Sequence, residues 1–501
     1  MHESPAESPG VFSSPSPTTP HPSAEPINAA LAARLGRIVG QRRVLFRPGE
    51  LVAYSTDGLP TYRHQPACAV FPGTRDEVIA VVRLLAEAGV PFVPRGAGTG
   101  LSGGALTNGG VLLGLNRLTR ILSLDPENRL AVVEPGVVNV ALTRAGKPYE
   151  LHYAPDPSSQ AACTIGGNVA ENAGGPHCLK YGVTTNHVVA ITVVLADGEV
   201  VTLGHANGER DGYDLVGAFV GSEGCFGVVL DVTVRLTPDP EAVRTLLADF
   251  TSLDVAAHAV SAIIARGIVP AALEMLDGPT IRMVESSIYA AGYPVDAAAV
   301  LLIELDGALS GLEEDVRAVD AMCRAQGARN VRIARDEAER ARLWQGRKKA
   351  FGAMGRLSPH LVVQDAVVPR TKLPQVLARI QEISARQRIT VCNVFHAGDG
   401  NVHPNVAYDA SDLDETARVH AAMREIMGAC IAAGGTITGE HGVGLDKLPY
   451  MDAIFSPESL RAMCDLRDVF DPSRRLNPGK VVPVHSCREW HMAPAARRTA
   501  Q

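Results

Sequence analysis

No Cys-x-x-Cys pair occurs anywhere in the 501 residues, so neither an iron–sulfur cluster nor a zinc ribbon has a basis in the sequence. The nine cysteines (Cys68, Cys163, Cys178, Cys225, Cys323, Cys392, Cys430, Cys464 and Cys487) are scattered and odd in number. They read as reduced thiols of a cytoplasmic protein. No apolar run approaches the roughly 20 residues of a membrane-spanning helix. Basic residues are not in excess. The formal net charge is −7, which argues against a nucleic-acid footprint. The N-terminus "MHESPAESPGVFSSPSPTTPHPSAEP" lacks the basic and apolar regions of a secretory signal. Its Pro/Ser/Thr composition predicts a disordered tail over 1–26. A second tail is expected over 486–501. No short-period repeat is evident.

A hydrophobic content of 46% over this length predicts a soluble globular chain with more than one domain. The segment "TRDEVIAVVRLLAEAGV" reads as a helix, with Thr74 as N-cap, Glu77 in a capping box and Gly89 as the stop. Strands are expected at "PFVPR", "GVLLGL", "LAVVEPG", "VVAITVVLADG" and "GVVLDVTVRL", giving an α+β domain over 27–237. After Pro238-Asp239-Pro240 the texture changes. Strands "TLLADF", "PAALEML" and "VLLIELDG" alternate with long helical stretches, as in an antiparallel sheet with helices on one face, over 238–410. A helical segment follows over 411–485.

The segment "PRGAGTGLSGGAL" carries Gly96, Gly98, Gly100, Gly103 and Gly104. It matches G-x-G-x-x-G, but it runs into a strand and leaves no room for a crossover helix. A Rossmann unit is therefore disfavoured. Successive glycines still let backbone N–H groups converge on an anion, so a phosphate loop is preferred over a flexible surface turn. The stretch 155–188 holds little charge and many small residues, as a loop lying against a flat ligand needs. A loop of this length without a helix is more often functional than structural. "GSEGCFGVV" has the same character.

These blocks, in this order, resemble the flavoprotein oxidase superfamily typified by vanillyl-alcohol oxidase. Within it they are most similar to the D-2-hydroxyacid dehydrogenase branch, which includes the flavoprotein subunits of bacterial glycolate oxidases. The resemblance spans about residues 40–485. It implies an FAD-binding domain, a substrate (cap) domain and FAD as cofactor. It implies that Arg95, Gly96, Ala97, Gly98, Thr99, Gly100, Ser102 and Gly103 cradle the pyrophosphate. Pro155, Ser159, Thr164, Gly166, Gly167, Asn168, Asn172, Gly174, Gly175, Tyr181 and Gly182 would line the isoalloxazine and adenosine. Glu223, Gly227, Val228 and Asn477 would complete the site. Cys225 replaces a small hydroxyl residue common at that position. No histidine occurs at 95–105, so FAD is expected to be non-covalent.

"VFHAGDGNVHPNV" predicts a hairpin centred on Asp399-Gly400, which sets His396 opposite His403 on one sheet face. Alone, two such histidines are more often bonded to backbone or water. Oxidation of an alcohol by a flavin, however, is helped by a Lewis acid on the hydroxyl. "TITGEHGVGLDK" adds Glu440, completing a His₂Glu set suited to zinc, manganese or iron. The resemblance supports this grouping and puts His441 beside the substrate as base. In "LWQGRKKAFGAMGRL" Arg347 is the candidate for binding a substrate carboxylate, where the resemblance also places one. Val363 and Gln364 stand where relatives acting on diacids carry a lysine, which favours glycolate or D-lactate. The resemblance further implies an iron–sulfur subunit, a second flavoprotein-like subunit and peripheral association with the inner membrane. Competing readings are a stand-alone D-lactate dehydrogenase, a flavin-free metal-dependent hydrolase and a non-catalytic scaffold.

Overall fold

The computed structural model describes residues 25–208 and 212–483. The predicted tails lie outside the described residues apart from 25 and 26. The first half is built on two sheets. In one, the strands Cys68–Val70, Val111–Gly114 and Phe92–Arg95 are parallel. The helix Arg75–Glu87 makes the crossover and buries Val78, Val81, Val82 and Leu85 on that sheet. At its start the Thr74 hydroxyl accepts from the Glu77 N–H at 3.2 Å. The Glu77 carboxylate is shared, since it also takes the Gly73 N–H and Arg43. The other sheet is antiparallel, in the order Ile121–Asp125, Leu130–Val133, Val228–Arg235, Val188–Val194, Val200–Gly204.

The second half is a long antiparallel sheet. Its order is Asn330–Ile333, Ala242–Phe250, Ala299–Gly307, Ala272–Asp277, Val391–His396, Asn401–Tyr408, His360–Val363. Strand alternation separates two cores. Leu246, Ala248, Phe250, Leu301 and Ile303 face the helices Leu253–Ala265, Leu309–Ala325, Leu373–Gln387 and Leu413–Ala432. Leu247, Val300 and Leu302 face the helices Gly278–Glu285 and Glu337–Met354. Helices therefore cover both faces, not one, because both faces of the central strands are apolar. The helix Leu413–Ala432 packs in the first of these cores, so 411 is not a physical boundary. The chain leaves the sheet only afterwards. It returns to the first half beside Phe92, whose N–H donates to Arg475 O and whose carbonyl accepts from Asn477 N–H, both at 2.9 Å.

Candidate active site

A cavity of about 580 Å³ lies between the glycine-rich loops and the substrate-half sheet. From the first loop it is lined by Arg95, Gly96, Ala97, Gly98, Thr99 and Gly100. From 155–175 it is lined by Ser159, Thr164, Gly166, Gly167, Asn168 and Gly174, and from the third segment by Glu223 and Gly227. Glycine is required at Gly98, with φ +70°, where a Cβ would fall on the Arg95 guanidinium. That guanidinium donates to Thr56 O at 2.9 Å and so fixes the underside of the loop.

The remaining predicted cofactor residues do not line the cavity, and their contacts explain why. Gly103 donates its N–H to Asp57 Oδ2 at 2.8 Å, and Ser102 O accepts from Leu445 N–H at 2.8 Å. Pro155 O accepts from Asn139 Nδ2. Asn172 ends the helix Ile165–Glu171 in a left-handed conformation. Gly175 and Gly182 turn the chain at positive φ, and Val228 begins a buried strand. Tyr181 reaches across to Asp306 of the other half at 2.5 Å. Asn477 is a strut, donating to Gly104 O at 2.8 Å and Glu223 O at 2.6 Å. The expected helix-free loop over 155–188 contains three short helices, Ile165–Glu171, Cys178–Tyr181 and Thr184–His187. Their turns satisfy backbone groups that an irregular buried loop would leave unpaired.

The residues present fit FAD. Backbone is bare where Cβ atoms would close the cradle: one on Gly96 would meet the Thr164 hydroxyl, and one on Gly166 would lie 2.6 Å from Pro135 Cβ. Buried polar atoms at or beside the cavity, Ser102 Oγ, Ser222 Oγ and Glu171 Oε2, have no hydrogen-bond partner in the protein.

The histidines line the same cavity. The hairpin register differs from the predicted one. His396 pairs with Asn401 and Val394 with His403, around a four-residue turn, 397–400. The slip is by two positions, and the side-chain period is two, so both histidines keep one face. Their rings lie 5.1 Å apart and edge-on. Nε2 of His396 is 3.2 Å from Glu440 Oε1, and Nε2 of His403 is 3.4 Å from the same oxygen. The His₂Glu atoms lie within 4.8 Å of one another, a donor set that fits a divalent cation. Each ring is oriented from behind. His396 Nδ1 meets Glu274 Oε1 at 2.7 Å, while His403 Nδ1 meets Gln364 O at 3.3 Å and Asp365 Oδ1 at 3.7 Å. Carboxylates behind imidazoles commonly select the tautomer that presents Nε2 to a metal. Burial alone would lower the His396 pKa, but Glu274 and Glu440 outweigh it and hold the pKa well above the ordinary value.

Adjacent Glu440 and His441 both enter the cavity because of Asp365. Its Oδ2 accepts from the Thr438 hydroxyl at 2.6 Å and from the N–H groups of Gly439, Glu440 and His441 at 2.9, 3.0 and 2.8 Å. Four donors on one oxygen curl the chain tightly, and Gly442 leaves the turn at φ +81°. His441 stacks on His403 with ring centroids 5.0 Å apart. Burial, with His403 and Lys447 nearby, lowers its pKa to about 4 against the pull of Asp365. It is a neutral imidazole at pH 7, and its Nδ1 has no hydrogen bond.

Arg347 lines the same cavity from the helix Glu337–Met354. Its Nε donates to Glu274 Oε2 at 2.5 Å. Glu274 and Asp365, each fully buried, escaped the sequence analysis as functional residues. The available signal was a single carboxylate in an apolar setting, inside the strand of "AALEML" and between the two short strands of "VVQDAVV".

An antiparallel sheet covering a glycine-cradled cavity defines an FAD-binding oxidoreductase fold of the vanillyl-alcohol oxidase type. Solved structures share it. Substrate-bound p-cresol methylhydroxylase gives a TM-score of 0.77 at 18% identity, covering 90% of this chain and 96% of that one. The 4-ethylphenol oxidase of Gulosibacter chungangensis gives 0.74 at 18%, covering 93% and 99%. The profile described as "FAD binding domain" matches residues 66–204, and "FAD linked oxidases, C-terminal domain" matches 239–481. The chain belongs to the FAD-linked oxidase family. It is 48% identical over 449 residues to the glycolate oxidase subunit GlcD of Escherichia coli (strain K12), covering 89% of this chain and 90% of the relative. It is 44% identical to the Bacillus subtilis (strain 168) GlcD, covering 86% and 92%. It is 32% identical to a D-lactate dehydrogenase of Anaerostipes hadrus, covering 88% and 95%. Among the described residues no helix is long and apolar enough to cross a membrane.

Proposed function

We propose that this chain oxidises a small 2-hydroxy acid, glycolate or D-lactate, to the 2-oxo acid with non-covalent FAD and a divalent metal. The observation that carries the reading is convergence: Arg347, the His396–His403–Glu440 set and the neutral His441 line the same cavity as the glycine cradle. FAD supplies the two-electron acceptor for the carbinol hydride, and zinc, manganese or iron supplies a Lewis acid at the hydroxyl.

The protein's own groups do the rest. Arg347 is held by Glu274 and offers its remaining N–H groups to the substrate carboxylate. His396, His403 and Glu440 would hold the cation. His441 receives the hydroxyl proton, since burial keeps its imidazole free of a proton at neutral pH. Val363 and Val394 give the cavity an apolar wall near these groups, which suits a hydrogen or methyl substituent better than a second carboxylate.

The GlcD relatives are named as subunits, which supports reoxidation through partner chains; the family resemblance implies that these are an iron–sulfur subunit and a second flavoprotein-like subunit, in a cytoplasmic complex peripheral at the inner membrane. A second reading is a stand-alone D-lactate dehydrogenase, and the name of the Anaerostipes relative supports that activity. Anaerobic flavin reduction by the purified chain with glycolate, D-lactate and L-lactate tests both. Bleaching by glycolate supports the first reading, and bleaching by D-lactate alone supports the second. No bleaching by any of the three removes the proposal.

A further inference from the structure

Glu274 lies in the middle strand Ala272–Asp277 and is 0% exposed. It sits one step beyond the Met275–Phe395 pair, so its strand position is level with His396. Its two oxygens are divided between two working groups. Oε2 accepts from Arg347 Nε at 2.5 Å and also pairs with Arg347 Nη2, and Oε1 faces His396 Nδ1 at 2.7 Å. Arg347 Nη2 also lies 3.4 Å from His396 Nδ1. On the opposite edge of the His396 ring, Nε2 points to Glu440.

We propose that Glu274 is a positioning residue that couples the substrate-carboxylate subsite at Arg347 to the metal subsite at His396, so that filling either one strengthens the other. The inference rests on the function proposed above. The physical reason is a shared acceptor. A divalent cation on His396 Nε2 displaces the proton that Glu440 otherwise keeps there, and its larger charge, felt through Nδ1–H, draws more of the negative charge on Glu274 toward Oε1. Oε2 then neutralises Arg347 less, and the guanidinium attracts an incoming carboxylate more strongly. Reciprocity follows from linkage: whatever factor the metal adds to carboxylate affinity, the carboxylate adds to metal affinity. No other carboxylate contacts Arg347 among the described residues.

The test uses the FAD-loaded full chain, with propionate as a probe that has the carboxylate but no hydroxyl. Propionate affinity is read from the shift of the flavin absorbance, with and without manganese. Manganese affinity is read by competition with a chromogenic chelator. In the wild type manganese should tighten propionate by at least about fivefold, the lower range of site-to-site coupling. In Glu274→Gln that ratio should fall to about one, and manganese affinity should drop by about 10–100-fold, as for other groups behind a metal ligand. A ratio in Glu274→Gln equal to the wild-type ratio overturns the coupling. Should this buried variant fail to fold, Arg347→Met serves instead. It leaves Glu274 wholly to His396 and should bind manganese about fivefold more tightly, although Arg347 is not a ligand. Unchanged manganese affinity in Arg347→Met overturns the proposal as well. A wild type that binds propionate but no manganese sinks the metal reading itself, which separates that failure from a failure of the coupling.

Discussion

Asp365→Asn is the perturbation that asks most of this structure. The Asp365 side chain is fully buried, and one oxygen holds the Thr438 hydroxyl and three consecutive N–H groups. Asparagine keeps the shape. It presents one neutral oxygen with room for about two donors, and its amide hydrogens then face the rest. At least two charge-assisted hydrogen bonds are lost, each worth about 1.5–3 kcal/mol, so the curl over 438–441 loses about 3 kcal/mol or more. The curl is a surface-to-cavity loop rather than part of the sheet, so it can relax without unfolding the domain. The native arrangement then becomes a minor state, about a hundredfold less populated, at 1.36 kcal/mol per decade. Metal affinity and the rate of flavin reduction should fall together by about 10²-fold or more. FAD stoichiometry should be unchanged, because the glycine cradle does not touch Asp365. Equilibrium dialysis for metal and stopped-flow reduction measure both. Metal affinity within threefold of wild type would show that the loop holds its shape without Asp365, and the argument would fail.

Gly98→Val forces a β-branched side chain into φ +70° and onto the Arg95 guanidinium, so the purified protein should be largely FAD-free. Full visible flavin absorbance in the purified variant would remove this loop from the cofactor site. His441→Asn should keep FAD and metal yet slow flavin reduction by about 10²–10⁴-fold, the usual contribution of a general base. A loss under tenfold leaves His441 as a positioning group only. His177 bridges Asp156 of the cofactor half and Glu304 of the substrate half at 2.9 and 3.2 Å. Burial opposes its charging, but those carboxylates raise its pKa to about 10, with Lys348 and Arg340 also facing the cluster. A raised histidine pKa gives stability that is complete below about pH 6.5 and lost as pH rises toward 10. Denaturant midpoints should therefore fall across that window in the wild type and stay flatter in His177→Gln. Equal slopes in the two proteins would refute the bridge.

What could be read from the sequence was encoded locally. The helix Arg75–Glu87, the glycine loop and the His396–His403 face each depend on residues within about a dozen positions of one another. The face survived a register error because a two-residue slip preserves parity. What could not be read was encoded at a distance. Glu274 and His396 meet across 122 positions, and Asp365 reaches His441 across 76. Nothing in "AALEML" says which cation the carboxylate will face. The second partner of the Glu77 carboxylate was hidden for a related reason: Arg43 is distant in sequence.

Those distant carboxylates also explain how one site is held across two halves of the chain. The loop 438–444 is gripped at its start by Asp365, from the substrate-half sheet, and at its end by Glu223, which accepts from the N–H groups of Val443 and Gly444 at 2.6 and 2.8 Å. Glu223 belongs to the cofactor half, and its own carbonyl is tied to Asn477. His441 therefore sits between two anchors, one on the sheet that carries His396 and His403 and one beside the glycine cradle. A base on a free loop would sample many distances from the substrate. A base clamped between two buried carboxylates has its distance set by the way the two halves pack, which is how a flexible Gly-x-x-Gly segment can carry a group that must act within hydrogen-bond reach.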